Sequence, residues 1–236
     1  MNAKLGGALW ATKPPKRIPI TIVIGIDICH QLNKHGKPMS FLGFCASLDC
    51  NFTEFYSKAY PIPSNQELVD GLQSCFEQFL LAFITKFEDI IPALIIVYRD
   101  GVSDTQQPSV VDYEVPQITD YIQSLQHTKW DPKIIYIIVN KRVNARFYLE
   151  IDEGENTREI RGLEHFQEPF ISNPNPGTII DSGIVTSSYD FYLISQSSTR
   201  GTITPTHYHV VYNTSQLHPQ KLYQLTYKLC FHYYNW

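Results

Sequence analysis

The sequence predicts an α/β fold, one mixed β-sheet with helices on both faces. Three observations carry this. The runs Thr21-Ile-Val-Ile-Gly-Ile-Asp27 and Ala93-Leu-Ile-Ile-Val-Tyr-Arg-Asp100 are short, β-branched and almost continuously apolar, as strands buried on both sides are. Between them, Leu68, Leu72, Cys75, Phe76, Phe79, Leu80 and Phe83 recur at three- and four-residue spacing, the period of a helix with one buried face. Strand-like runs come first, and helix and strand then alternate.

In chain order, residues 20–28, 40–48 and 52–58 read as strands, with Asn33, Gly36 and Pro38 marking turns between the first two. Together they form an antiparallel meander. The Leu68-to-Phe83 helix follows, then a strand over 93–99 that leads into Asp100. A second helix is expected from Val110 to Leu125, with Pro116 near its start, and a strand over 133–140 passes into Lys141. Asn173-Pro-Asn-Pro-Gly-Thr178 is a turn cluster. Strands over 178–185, 189–195 and 207–212 precede a terminal helix from His218 to Tyr234, whose Leu222, Leu225, Leu229 and Tyr233 form a core stripe. Residues 1–18, with Pro14, Pro15 and the adjacent Pro19, read as a stiff linker from a preceding domain, and the acid-rich stretch of about 149–170 as an insertion.

A net charge of -4 over 236 residues supplies no global basic field. Nucleic-acid binding would need a local patch. Hydrophobic content of 43% against 18% charged residues is that of an ordinary globular core. The five cysteines form no CxxC pair and mostly sit in apolar runs, which predicts buried thiols in a reducing compartment. No charged segment followed by an apolar stretch opens the sequence, and the apolar runs are too short to span a bilayer. A soluble, intracellular protein is expected.

Asp27 and Asp100 are the leading chemical candidates. If their strands lie side by side and parallel, the two carboxylates meet at one sheet edge and can hold Mg²⁺, which prefers carboxylate oxygen. Acids at strand ends also serve as turn residues and caps. Glu67 closes Ser64-Asn-Gln-Glu67, a capping-box pattern, yet a helix start near the sheet edge can also deliver a third carboxylate. Lys141, Arg142 and Arg146 follow a strand end, with Phe147 beside them, in a composition suited to phosphate contact or to a solvated basic turn. Arg200 lies among small hydroxyl residues in Ser197-Ser-Thr-Arg-Gly-Thr202. His207 and His209 share one face of a strand, but no further Cys or His spacing completes a zinc site. Hydrogen-bonded core or groove histidines are the better reading. No nucleophile elbow, Walker-type loop or dinucleotide fingerprint is present.

Several ordered strings together resemble the PIWI domain of the Argonaute/Piwi family, nearer its Piwi branch. They are Lys4-Leu-Gly-Gly-Ala-Leu-Trp10, Ile24-Gly-Ile-Asp27, Gln66-Glu-Leu-Val-Asp-Gly-Leu72, Ile95-Ile-Val-Tyr-Arg-Asp-Gly-Val102, Tyr113-Glu-Val-Pro-Gln117 and Val139-Asn-Lys-Arg-Val-Asn-Ala-Arg-Phe147. Asn175-Pro-Gly-Thr178, Thr204-Pro-Thr-His-Tyr-His209 and Leu225-Thr-Tyr-Lys-Leu-Cys230 complete the set. The resemblance covers nearly the whole chain except the acidic insertion.

It implies an RNase H-like fold and a parent that acts as a guide-directed endoribonuclease in small-RNA silencing. Active members hold two Mg²⁺ (or Mn²⁺) ions with two aspartates, a glutamate finger and a fourth acid or histidine. Asp27, Glu67 and Asp100 match the first three. Lys4 matches a lysine that grips the guide 5′ phosphate, and Lys141, Arg142 and Arg146 match guide-backbone contacts, with Arg200 a further candidate. The implied partners are a small guide RNA, a piRNA or one of another class, its complementary target, and MID and PAZ domains of the same protein. The family's fourth ligand lies in a Pro-Ala-Pro-x-x-Tyr-Ala-His stretch beyond the match to Tyr233-Tyr-Asn-Trp236. This polypeptide alone is therefore expected to cleave poorly. The resemblance also admits a non-slicing module that binds guide RNA and silences through recruited partners. Location in cytoplasm, nucleus or both is consistent with it. Another RNase H-like nuclease would share the strand-end acids but not Lys4-Leu-Gly-Gly or the 140–147 string.

Overall fold

The computed structural model describes residues 7–32, 34–63, 71–87, 90–125, 130–151, 170–185 and 189–232. The sheet is built outward from β1 (Thr21–Leu32). On one side, β1 pairs antiparallel with β2 (Pro38–Ser47), which pairs antiparallel with β3 (Phe55–Ile62). On the other, it pairs parallel with β4 (Leu94–Asp100), which pairs parallel with β5 (Lys133–Asn140). β6 (Leu149–Ile151) and β7 (Phe170–Ser172) form a separate antiparallel pair flanking the acidic segment. The last strands, β8 (Ile179–Ile180), β9 (Phe191–Leu193) and β10 (Thr206–Asn213), return to the main sheet. Its order is β3-β2-β1-β4-β5-β10-β9-β8, with β10 antiparallel to β5.

Strand alternation sends successive side chains to opposite faces. Ile22, Ile24 and Ile26 of β1, Ile95 and Val97 of β4, and Ile134, Tyr136 and Ile138 of β5 enter one core. Helix α1 (Leu72–Lys86) covers it with Leu72, Cys75, Phe76, Phe79 and Phe83, and helix α2 (Val115–Ser124) with Val115, Ile118 and Ile122. Val23, Leu94, Ile96, Ile135 and Ile137 enter the other core, covered by Leu222, Tyr223 and Leu225 of α3 (Pro219–Leu229). The central strands are apolar on both faces because both faces are buried.

Local chemistry fixes the start of α1. Its first N–H, that of Leu72, is accepted by the Gln117 side chain of α2 at 3.0 Å, which satisfies one orphan donor of the first turn. Gly71 precedes it at φ 83°, where L-residues are disfavoured, and a Cβ there would collide with the Tyr60 ring. The proposed capping box at 64–67, and Leu68, lie outside the described residues.

The structure amends several expectations. β1 runs on to Leu32, five residues past Asp27, because β2 keeps pairing it to Leu32↔Pro38 after β4 has ended. The second helix starts earlier, at Asp104, where the Gln106 side chain accepts from the Ser103 N–H at 3.1 Å. It passes through a short α turn (Gln107–Ser109) and a π-turn (Val110–Glu114) before α2. Pro116 is tolerated because it lies in the first turn of α2. Only short pieces of the expected 178–185 and 189–195 strands are extended. The last helix is α-helical to Leu229 and closes in a 3₁₀ turn over Cys230–His232. All five cysteines are free. Cys75 is buried and Cys45 and Cys230 half-buried, but Cys29 and Cys50 are exposed, which corrects the expectation of buried thiols at those two positions. Among the described residues, no helix is long and apolar enough to cross a membrane.

Phe79 is the hub of the α1 core, with ring centroids of Phe44, Tyr56, Phe76 and Phe83 5.9–6.2 Å away. The substitution Phe79→Ala is expected to cost about 3–5 kcal/mol by leaving a cavity, read as a lowered urea midpoint with unchanged slope.

Candidate active site

The parallel register of β1 and β4 ends at Ile26↔Arg99. Asp27 and Asp100 are the next residue on each strand and share the sheet face of Val23, Ile96 and Tyr98. Both line a single cleft of about 770 Å³, together with Lys58, Lys141, Tyr208 and Thr226. The cleft sits at the C-terminal end of the parallel strands on the α3 side. Asp27 is exposed, and its Oδ1 accepts from the Ile28 N–H at 2.8 Å. The Asp100 side chain is 25% exposed and makes an ion pair with the Lys141 ammonium.

Three further groups of the cleft wall, Tyr98, Tyr208 and Cys230, are held neutral. The Tyr98 hydroxyl bonds Thr226 Oγ1 of α3 at 2.8 Å, and burial raises its pKa despite that bond. Burial likewise raises Tyr208 and the Cys230 thiol, so neither supplies an anion at neutral pH. The cleft's negative charge comes from the carboxylates.

Behind Asp100, on the opposite face, Arg99 is fully buried against Glu114, also fully buried. Arg99 Nε donates to Glu114 Oε2 at 3.0 Å and Nη2 to Oε1 at 3.1 Å, while Nη1 donates to the Asp100 carbonyl. The Tyr136 hydroxyl of β5 donates to Glu114 Oε2 at 2.7 Å. A buried charge pair requires such saturation. Here it ties the backbone that carries Asp100 to β5 and to the π-turn that presents Glu114. None of these three was singled out from the sequence. The available signal was an arginine inside an apolar strand, a residue that is almost never buried without a partner.

A second, more polar groove of about 860 Å³ adjoins the cleft. Lys141, Arg142, Asn144, Tyr192 and His207 line it, and Asp100, Val139 and Lys141 belong to both cavities. Arg146 is exposed on the same segment, its guanidinium donating to the carbonyls of Val143 and Ala145 at 2.7 Å. Arg200 is exposed in a separate loop, which Asn173 tethers through the Gly201 carbonyl at 2.9 Å. Lys4 and Glu67 lie outside the described residues.

His207 and His209 sit on the sheet face opposite the two aspartates. His209 Nδ1 is 2.7 Å from Oδ2 of buried Asp190, whose Oδ1 accepts the Val210 N–H at 3.2 Å. His207 stacks on Tyr192 with centroids 4.3 Å apart. One histidine is thus hydrogen-bonded and the other stacked, and Asp190 joins them as a third group whose candidate ligand atom lies within 4.8 Å of theirs, a neighbour that Cys and His spacing did not reveal.

The Piwi domain family model matches residues 1–236, the whole chain. The chain belongs to the Piwi domain family of Piwi/Argonaute proteins. It is 38% identical to Piwi-like protein 1 of Gallus gallus and to Piwi-like protein 3 of Homo sapiens, and 37% identical to Piwi-like protein Ago3 of Bombyx mori. All of this chain aligns in each case, but only 25%, 24% and 23% of those proteins. This Piwi domain thus spans about a quarter of the curated relatives it matches. Among solved structures, Drosophila Piwi matches with a TM-score of 0.72 at 26% identity, over 94% of this chain and 27% of that one. Kluyveromyces polysporus Argonaute with a guide RNA matches with a TM-score of 0.73 at 26% identity, over 89% of this chain and 24% of that one. The mixed sheet of this Piwi domain is the RNase H-like one of those structures.

Glu114→Ala would strand the Arg99 charge in the core and is expected to cost about 3–5 kcal/mol. Glu114→Gln keeps the acceptor oxygen and is expected to cost less, both measured by urea unfolding at pH 7. A second prediction concerns alkali. Tyr98, Tyr136 and Tyr208 have folded-state pKa values raised above the ordinary 10.0. Their contribution to stability is whole below about pH 10 and is lost as pH rises through the folded-state values. Phenolate absorbance at 295 nm should therefore show these three ionising only with the unfolding transition.

Proposed function

We propose that this Piwi domain binds a small guide RNA and that, in the full-length protein, it cleaves the paired target RNA by metal-assisted phosphodiester hydrolysis. The supporting observation is the placement of Asp27 and Asp100 side by side in one cleft, each one residue past the last β1–β4 pair Ile26↔Arg99, beside a groove lined by Lys141 and Arg142. The donor set fits a hard divalent cation, since both side chains offer carboxylate oxygens and one is exposed enough to leave ligand positions for water. Asp27 and Asp100 would hold Mg²⁺ or Mn²⁺ there, which would supply an activated water and positive charge toward the phosphate. Glu67, on the family resemblance, is a third carboxylate.

The chain's own residues do the rest. Arg99 and Glu114 fix the strand end that presents Asp100. Neutral Tyr98 and Cys230 leave the carboxylates as the cleft's anions. Lys141, Arg142, Arg146 and Arg200 offer charge to a phosphate backbone, a contact that reads shape and not sequence. Base pairing between guide and target would then choose the site. The Kluyveromyces relative was solved with a guide RNA, which favours RNA as the ligand of the groove. Residues 1–18 connect to a preceding domain in this reading, and Lys4 meets the guide 5′ phosphate.

In the full-length protein, Asp27→Asn or Asp100→Asn is expected to slow target cleavage on the order of 10²–10³-fold while guide binding persists. Single-turnover cleavage of a matched target measures this. A full-length protein that binds guide but whose cleavage neither substitution changes would favour the non-slicing reading. Neutralising Arg142 or Arg146 should weaken RNA binding evenly across sequences and reduce the log K against log salt slope by about one for each phosphate no longer neutralised.

A further inference from the structure

Lys141 is the one cation of the 141–146 segment that lines both cavities, whereas Arg142 lines the groove alone. The reason is register. Asp100 pairs with Val139 on β5, and Lys141, two residues on, returns to the same sheet face. Its four-carbon stem then brings the ammonium onto Asp100 Oδ2. Lys141 therefore has two anionic partners within reach, the carboxylate behind it and any phosphate entering the groove in front.

We infer that Lys141 is a cation surrogate at Asp100, and that a backbone phosphate bound in the groove draws it away and so frees the carboxylate for a divalent ion. This rests on the metal reading given above. An ammonium seated on Asp100 Oδ2 takes up one acceptor site and repels a second cation, so the two compete. The pair is easily broken: the Lys141 side chain is 64% exposed, and solvent-exposed pairs of this kind shift an equilibrium by at most about fivefold. Lysine suits the role because its compact charge swings on a flexible stem, where arginine would fork onto one partner. The coupling is reciprocal by linkage, so phosphate binding strengthens metal binding and metal binding strengthens phosphate binding. The chain would thereby bind its ion best when nucleic acid is already seated.

The test is a Mn²⁺ titration of residues 1–236, followed by electron paramagnetic resonance of the free ion, with and without a short RNA duplex. Asp100→Asn supplies the background, including Mn²⁺ held by the RNA itself. Without RNA, Lys141→Met is expected to bind Mn²⁺ roughly two- to fivefold more tightly than the unaltered chain. Arg142→Met, which removes the same charge nearby without touching Asp100, should change it less. Adding duplex should tighten Mn²⁺ binding more in the unaltered chain than in Lys141→Met, where only the direct attraction between ion and phosphate remains. Equal gains in Lys141→Met and Arg142→Met, or equal duplex shifts with and without Lys141, would overturn the surrogate role while the metal site stands. If Asp100→Asn titrates like the unaltered chain, the metal reading fails and takes this inference with it.

Discussion

The parallel pairing of β1 with β4 is the constraint on which the site depends. Parallel strands joined through a crossover end at the same edge of their sheet. Six consecutive register pairs from Thr21↔Leu94 to Ile26↔Arg99 leave no slack in where those ends fall. A shift of one residue would send one of the two carboxylates to the opposite face. The apolar side chains above and below, Val23 and Ile96 toward α3 and Ile24 and Val97 toward α1, penalise that slip on both faces at once. Core packing thus sets the relative placement of two carboxylates at its edge.

The buried Arg99–Glu114–Tyr136 cluster answers a different demand. Asp100 is the last residue of its strand, followed at once by a glycine turn, and strand ends are where backbones fray. Anchoring its carbonyl to a guanidinium that is itself held by a carboxylate and a phenol replaces the missing ladder bonds with charge-assisted ones. The arrangement costs desolvation of two ions, which weighs against reading it as a stabilising device alone. Its geometric effect is plainer: it fixes the direction in which one acid points.

Much of this was legible in the amino-acid order. The uninterrupted β-branched runs identified β1, β4 and β5, and β5 matches its expected limits of 133–140, because its apolar run of six is bracketed by polar Lys133 and Asn140. The α1 stripe was legible for the same reason. Less visible were features decided by neighbours in space. β1 outruns Asp27 because β2 continues to pair with it, a fact of partner length. The short β8 and β9 had residues of the right type, yet β9 keeps only three pairs with β10, although β10 runs on to Asn213. The exposure of Cys29 follows from the same overhang. The Arg99 cluster joins residues 15 and 22 positions apart through a turn with no sequence signature, whereas the basic 141–146 segment announced itself by composition.

The π-turn over Val110–Glu114 carries a consequence for how this stretch tolerates change in length. A π-turn holds one residue more than the α-helical turn it replaces, and each helical residue advances the side chains by about 100°. Deleting one residue there would change the winding and with it the direction in which Glu114 meets the sheet face. Sequence length in this segment is thus constrained as well as the identity of Glu114, because a gap in it would misplace the counter-ion of Arg99.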